Sequence, residues 1–442
     1  MAKTGFVHNV IFFRVITKYA MKIIILLTCL LVAASADDAV IQWNNHFISL
    51  VRLDASQANP GAASRNGAIL HLAIHDALAS ITGDYERYIV RRSASSSASQ
   101  NAAVAAAARH VLLWLYPEQG SLVDSYYNTA IAAIPNNSAR QAGIEIGERA
   151  ADVVMAVREM DGSLNSNSGY VYDNDPLHWR PDPTLPTIQT AWGPGWGDIK
   201  LFNKASVSDF MLDPPPYTNM TAWVNAYNEV KSYGQNVSST RTSDQLQIGL
   251  FWAYDIFRYG PPNVLFNQIA QKLAIHYDNT MSENARMFAL LNMVMADAGI
   301  ASWHFKYRYN LGRPVTVIRN ASADQNPSTN PDPTWTPYGA PGHSSPNFTP
   351  PFPAYPSGHA TFGGAFFGML KLIFGTDAIN IALQSDEVPG VNRTYTSFSQ
   401  MSYENYISRV YLGIHYVFDG TAGEDLGERI ANYTFKRFLQ SQ

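Results

Sequence analysis

From Asp37 to about Gly162, apolar residues recur at three- and four-residue spacing, as in "GAILHLAIHDALASI", "NAAVAAAARHVLLWLY" and "SARQAGIEIGERAADVVMAVREM". That spacing lines one face of an α-helix, so this part predicts a run of packed helices. Residues 163–220 break the period. "YVYDNDPLHWRPDPTLPTIQTAWGPGWGDIK" is rich in Pro, Gly and aromatics and predicts ordered loop. The helical period returns in "SDQLQIGLFWAYDIF", "NVLFNQIAQKLAIHY" and the long "SENARMFALLNMVMADAGIASWHFKYRYN". A second loop, residues 323–355, holds nine prolines. Two further helices are expected over 358–374 and 404–440, and no period-two alternation stands out for a strand. The pattern predicts an all-α protein of two helical bundles with long Pro/Gly-rich loops near one end.

Composition adds bounds. The chain has 442 residues, 46% of them hydrophobic, enough for one large core or two moderate ones. A net charge of -4 with no basic block speaks against a nucleic-acid partner. "MKIIILLTCLLVAASADD" joins a Lys, an apolar run and an Ala-Ser-Ala cleavage pattern, which reads as a secretory signal peptide over 1–36, with Met21 an alternative start. Its removal takes four basic residues and the chain's one cysteine, Cys29, leaving a charge of -8 and no thiol chemistry. Seven glycosylation sequons, at Asn136, Asn219, Asn236, Asn320, Asn347, Asn392 and Asn432, suit a secreted, extracellular protein. After the signal no apolar run reaches the roughly 20 residues of a membrane span; "GGAFFGMLKLIFG" is too short and carries Lys371. The expected division is an N-terminal helical bundle and loop region, 37–260, and a C-terminal helical domain, 261–442.

Three segments carry candidate chemistry. In "PFPAYPSGHATFGGAFF", Ser357 is placed to cap a helix starting at Gly358, with His359 in its first turn. Such a helix N-terminus suits an oxyanion, and the histidine suits proton transfer to it. In "KYRYNLGRP", Lys306 and Arg313 stand seven residues apart, which on one helix puts both on one face before Pro314 ends it. In "SRVYLGIHYVFDG", Ser408, His415 and Asp419 follow at steps of seven and four, again one face of a helix, with Arg409 on its flank. Asp419 can accept the His415 N–H and free the other ring nitrogen as nucleophile or ligand. Each segment alone has a bland explanation: solvated cations, or a histidine packed between helices. Together they supply three cations, two neutral donors and two imidazoles, an inventory able to hold a multiply charged tetrahedral oxyanion and move protons on it.

The order K-x6-R-P, P-S-G-H, S-R-x5-H-x3-D resembles the signature of the superfamily that unites type-2 phosphatidic acid phosphatases, bacterial acid phosphatases and vanadium haloperoxidases. Lys306, Arg313, Pro314, Pro356, Ser357, Gly358, His359, Ser408, Arg409, His415 and Asp419 fill its positions. Through its mature length the chain is similar to the vanadium-dependent haloperoxidases, in "LHLAIHDALASI", "GPGWGDIKLF" and "PPFPAYPSGHATFGGAFF" among other segments. The resemblance implies two α-helical bundles, a vanadate cofactor and oxidation of chloride or bromide by hydrogen peroxide to hypohalous acid, with an organic acceptor optional. It implies that His415 is the axial vanadate ligand. Lys306, Arg313, Ser357, the Gly358 amide and Arg409 would bind equatorial oxygens. His359 would be the acid/base, and Asp419 the partner of His415. Trp303 and Phe352 would line a halide pocket of the chloride type, although "NLG" before Arg313 and His304 after Trp303 depart from the usual pattern.

The competing functions are a secreted acid phosphatase, with His415 attacking phosphorus, and a non-catalytic oxyanion-binding protein, which would need neither histidine. Other residues receive structural readings. His71 and His75 have zinc-like i, i+4 spacing but no third ligand, so packing is expected, with Asp76 as a partner. His178 and His343 fall in loops and are read as surface residues. Trp179, Trp192 and Trp196 are expected to pin the long loop, with an organic-substrate channel as the alternative. Glu404 is read as a helix N-terminal charge.

Overall fold

The computed structural model describes residues 38–442 except 57–58, 167–168, 218, 257, 322–325 and 344; the expected signal peptide lies outside them. Asp38, Asn59, Ser99 and Asn137 each precede a helix and accept N–H groups of its first turn, so the first bundle begins at well-formed caps. Its helices are α1 (Ala39–Leu53), α2 (Pro60–Thr82), α3 (Gln100–Leu115), α4 (Gly120–Ala132) and α5 (Ser138–Arg158). Nearly every residue of α2 is buried, because α3, α5 and the later helix α9 surround it.

The second half contains α6 (Met220–Tyr233), α7 (Ser243–Phe251), α8 (Pro262–His276), α9 (Met281–Tyr309), α10 (Pro314–Arg319) and α11 (Gly358–Phe374). An antiparallel hairpin of β1 (Ala378–Gln384) and β2 (Asn392–Ser397) follows, then α12 (Phe398–Tyr411) and α13 (Val417–Phe435). The 29-residue α9 starts at a Thr280–Glu283 capping box and joins the two bundles, packing on α2 and on α11 and α13. Helices α11 and α13 touch backbone to backbone. A Cβ on Gly364 would collide with Glu424, and one on Gly427 with Thr361 and Ala365. The architecture is all-α, in two bundles, and among the described residues no helix is long and apolar enough to cross a membrane.

Several local expectations need correction. A strand pair exists: "AINIALQ" buries Ile379, Ile381 and Leu383 on one face, a period-two signal too short to register beside the helix before it. Helix α6 begins where only the end of a loop was expected. Helix α7 stops at Phe251, and Tyr254 adopts a left-handed backbone, φ 42°. The expected helix over 404–440 is two helices, broken where Gly413 turns left-handed at φ 74°. Glu404 is not a terminal charge. It is buried, and its carboxylate takes Arg393, the Tyr395 hydroxyl and the Trp252 indole.

Candidate active site

Four elements converge on one place. Helix α9 brings Trp303 and Lys306 in its last turns and ends at Asn310, whose left-handed backbone turns the chain. Arg313 therefore lies outside α9, as the extended residue before α10, and Pro314 begins a helix rather than ending one. The shared-face argument for Lys306 and Arg313 is overturned, yet the turn places both cations in the same site. Ser357 caps α11 as expected, accepting from the Ala360 N–H, while its own N–H donates to the Asp419 carbonyl. His415 lies in the turn between α12 and α13, so Ser408, His415 and Asp419 do not share one helix. Ser408 donates to the Asn405 carbonyl.

The His415 contacts define the centre. Nδ1 is 2.8 Å from Asp419 Oδ2, so the ring donates there, and Arg313 Nη1 donates to Nε2 at 2.8 Å. Arg313 also donates to the Phe352 and Ile414 carbonyls, while its Nη2 has no partner among the described residues. Lys306 Nζ donates to the carbonyls of Pro353, Ala354 and Pro356 at 2.9, 3.1 and 2.6 Å. Arg409 Nη2 pairs with Asp255 at 2.6 Å, and its Nε has no partner among the described residues. His359 Nε2 lies 2.6 Å from the Ala253 carbonyl, which can only accept, so Nδ1 is the ring's basic atom.

A cavity of about 290 Å³ opens here, its wall including Gly358, His359, Arg409, His415, Trp303, Phe352, Phe362, Trp192 and Asp255. Lys306, Arg313 and Ser357 are fully buried and form no part of that wall. Trp303 and Phe352 face each other at 4.8 Å, and the Lys306 ammonium sits 5.5 and 5.2 Å from their rings. A Cβ on Gly358 would press on the Trp303 ring at 3.3 Å, so glycine keeps the helix start against the aromatic wall.

The electrostatics have one theme: cations removed from water with little negative charge to meet them. Burial, then Arg313, pushes the Lys306 pKa well below its usual value. Burial lowers Arg313 to about 9. Burial, then Arg409, takes His359 to about 3. Burial, then Arg313, Lys306 and Arg409, holds His415 well below the ordinary imidazole value. Burial raises Asp419 to about 7.

Sequence reasoning missed two contributors. Asp255 and the Ala253 carbonyl lie in "FWAYDIF", where an assumed helix hid the chain's departure into the site. Of the three tryptophans expected to pin the loop or shape a channel, Trp192 belongs to the cavity wall and stacks edge-on to Trp303 at 5.2 Å. His71 and His75 are buried packing residues, bonded to Asn44 and the Glu86 carbonyl, and Asp76 accepts from Tyr88, Ile89 and Val90. His178 pairs with Asp173 and half-exposed His343 with Glu387, both away from the cavity wall.

Residues 286–441 match the family described as the VCPO second helical-bundle domain. The chain is 29% identical to vanadium chloroperoxidase of Curvularia inaequalis, across 88% of this chain and 80% of that protein. It is 34% identical to the vanadium-dependent bromoperoxidase of Ascophyllum nodosum, over 21% of this chain and 19% of that one. Its fold is similar to the crystal structure of a bacterial vanadium-dependent iodoperoxidase, with a TM-score of 0.75, 23% identity, and coverage of 92% of this chain and 97% of that one.

Proposed function

We propose, from the premise that this chain belongs to the vanadium-dependent haloperoxidase family, that it uses vanadate to oxidise halide with hydrogen peroxide to hypohalous acid. The observation that carries this reading is the set of buried cations around His415, with Arg313 Nη2 and Arg409 Nε lacking a partner among the described residues. Buried N–H groups without acceptors are costly, and an oxyanion of several charges would satisfy them and reverse the lowered cation pKa values. The residues present therefore fit vanadate. Arg313, Arg409, Ser357 and the Gly358 amide would hold its oxygens, and His415 Nε2 would ligate it once Arg313 turns to the oxyanion. Lys306 would join them by releasing a carbonyl, Ala354 being the longest of its three bonds.

Vanadate held there supplies a Lewis acid that activates hydrogen peroxide toward halide without changing oxidation state. Asp419 keeps the proton on His415 Nδ1 and so keeps the Nε2 lone pair available. His359 Nδ1, the basic atom of its ring, would serve as the acid/base, accepting a proton from hydrogen peroxide and giving it up to the oxygen released as water. Trp303 and Phe352 would give the halide an apolar, polarisable wall, and by the family resemblance a Phe at 352 points to the chloride type. The net reaction consumes peroxide, halide and one proton and yields hypohalous acid and water. The proposed domains are 37–260 and 261–442; the motif residues fall in the second, while Trp192, the Ala253 carbonyl and Asp255 reach the site from the first.

The test is metal analysis of the purified protein with halide oxidation measured with and without vanadate. Activity should require vanadate, and phosphate should suppress it by competing for the same cations. Rapid hydrolysis of an aryl phosphate with no halide oxidation would instead establish the phosphatase reading, with His415 as nucleophile. The finer reading is a secreted glycoprotein. All seven sequon asparagines are exposed, and mass spectrometry should find a mature N-terminus near Asp37 with glycans on some of them.

A further inference from the structure

Three consecutive residues after β1 hold the segment that follows α7. Ser385 Oγ donates to the Phe251 carbonyl at 2.7 Å. The Asp386 N–H donates to the Tyr254 hydroxyl at 3.0 Å, and that hydroxyl reaches the Asp386 carboxylate and Gln268, each at 3.2 Å. Glu387 Oε1 accepts the Tyr254 N–H at 3.0 Å. Tyr254 needs this grip, since a left-handed backbone is unfavourable for a bulky residue unless its surroundings impose it. The residues on either side of Tyr254 are those that reach the site: the Ala253 carbonyl orients His359, and Asp255 pairs with Arg409. The Glu387 side chain is itself buried, with Oε2 2.5 Å from His343 Nε2, and the His343 ring stacks on Tyr259 at 4.5 Å.

We infer that Glu387 is a positioning residue for the active site: by holding the strained Tyr254 peptide it sets the tautomer and angle of His359 and the place of Arg409. It touches neither substrate nor cofactor. The consequence for turnover rests on the haloperoxidase reading, whereas the consequence for His359 geometry does not. Glu387→Gln keeps an oxygen for the Tyr254 N–H, and its amide can donate to the other tautomer of His343. Glu387→Ala removes the acceptor, and Glu387→Asp withdraws it while retaining charge.

The experiment compares these variants by side-chain nitrogen NMR of His359 without vanadate, by calorimetric titration with vanadate, and by halide turnover. Glu387→Ala and Glu387→Asp should shift the His359 Nε2 signal and lower kcat about 10- to 100-fold, while the KM for halide changes little. Vanadate affinity should weaken, and Glu387→Gln should restore all three readouts. If Glu387→Ala does not fold, Glu387→Asp carries the same comparison. An unshifted His359 signal in either folded variant, or a Gln variant no better than Ala, overturns the inference. A wild type without halide oxidation would refute the proposed function and leave the NMR comparison intact.

Discussion

At the scale of single residues, the two histidines of the candidate site are held differently, and the roles proposed for them follow from those contacts. His415 is fixed from both sides, by Asp419 at Nδ1 and Arg313 at Nε2, as a ligand or nucleophile should be. His359 is fixed only at Nε2, leaving Nδ1 for proton traffic. His415→Ala should therefore abolish vanadate binding in a calorimetric titration. His359→Ala should still bind vanadate yet lose about 10²- to 10⁴-fold in turnover, the usual worth of a positioned acid/base. Equal vanadate affinity in wild type and His415→Ala would refute the assignment. Every motif residue named from the sequence except Ser408 sits at or beside this centre, because residue type and order survive any local error in secondary structure. Asp255 was illegible for the opposite reason. A lone aspartate carries no pattern, and its role appears only when the chain after Phe251 is seen to leave the helix.

At the scale of elements, the sequence predicted most helices but placed two site residues on the wrong kind of backbone. Seven-residue spacing suggested shared helical faces for Lys306 with Arg313 and for Ser408 with His415. The chain instead breaks at left-handed Asn310 and Gly413, and both pairs straddle a turn. Asn is the commonest residue after glycine at a left-handed helix end, so "YNLG" held a weaker form of the warning that the glycine of "LGIHY" gave for the second break. What holds the resulting parts together is the contact of α11 with α13, which also joins the Ser357 N–H to the Asp419 carbonyl. Gly427→Ala would thrust a methyl into the α11 backbone at Thr361 and Ala365. Overpacking of this kind should cost about 1–3 kcal/mol in urea denaturation. Because α11 starts at Ser357, it should also weaken vanadate affinity in protein that remains folded. Unchanged stability would mean the two helices can part without loss.

At the scale of the whole molecule, the bundles share α9, so stability set deep in the first bundle supports the site in the second. His71 in α2 is the clearest handle. It is fully buried, stacks on Phe288 of α9 at 5.1 Å, and donates Nε2–H to Asn44, while its Nδ1 has no partner among the described residues. Burial lowers its pKa to about 3, against the ordinary 6.5 that it recovers on unfolding. Between those values the unfolded chain holds a proton that the folded chain lacks, so unfolding free energy rises with pH. The contribution of neutral His71 is complete above about pH 6.5 and is lost as pH falls toward 3. His75 is lowered by burial in the same direction. Both histidines should therefore lower stability from pH 6.5 to 4 with uptake of protons on unfolding, while Asp419 and Asp297, raised by burial to about 7, act in the opposite sense, so the His71 share is read from the difference in urea titration between wild type and a variant. His71→Phe fills much the same volume but cannot titrate. Whatever it costs through the stranded Asn44, it should reduce that proton uptake by about one. A variant with the wild-type pH slope would place the acid sensitivity elsewhere and show that His71 accepts a proton inside the folded core.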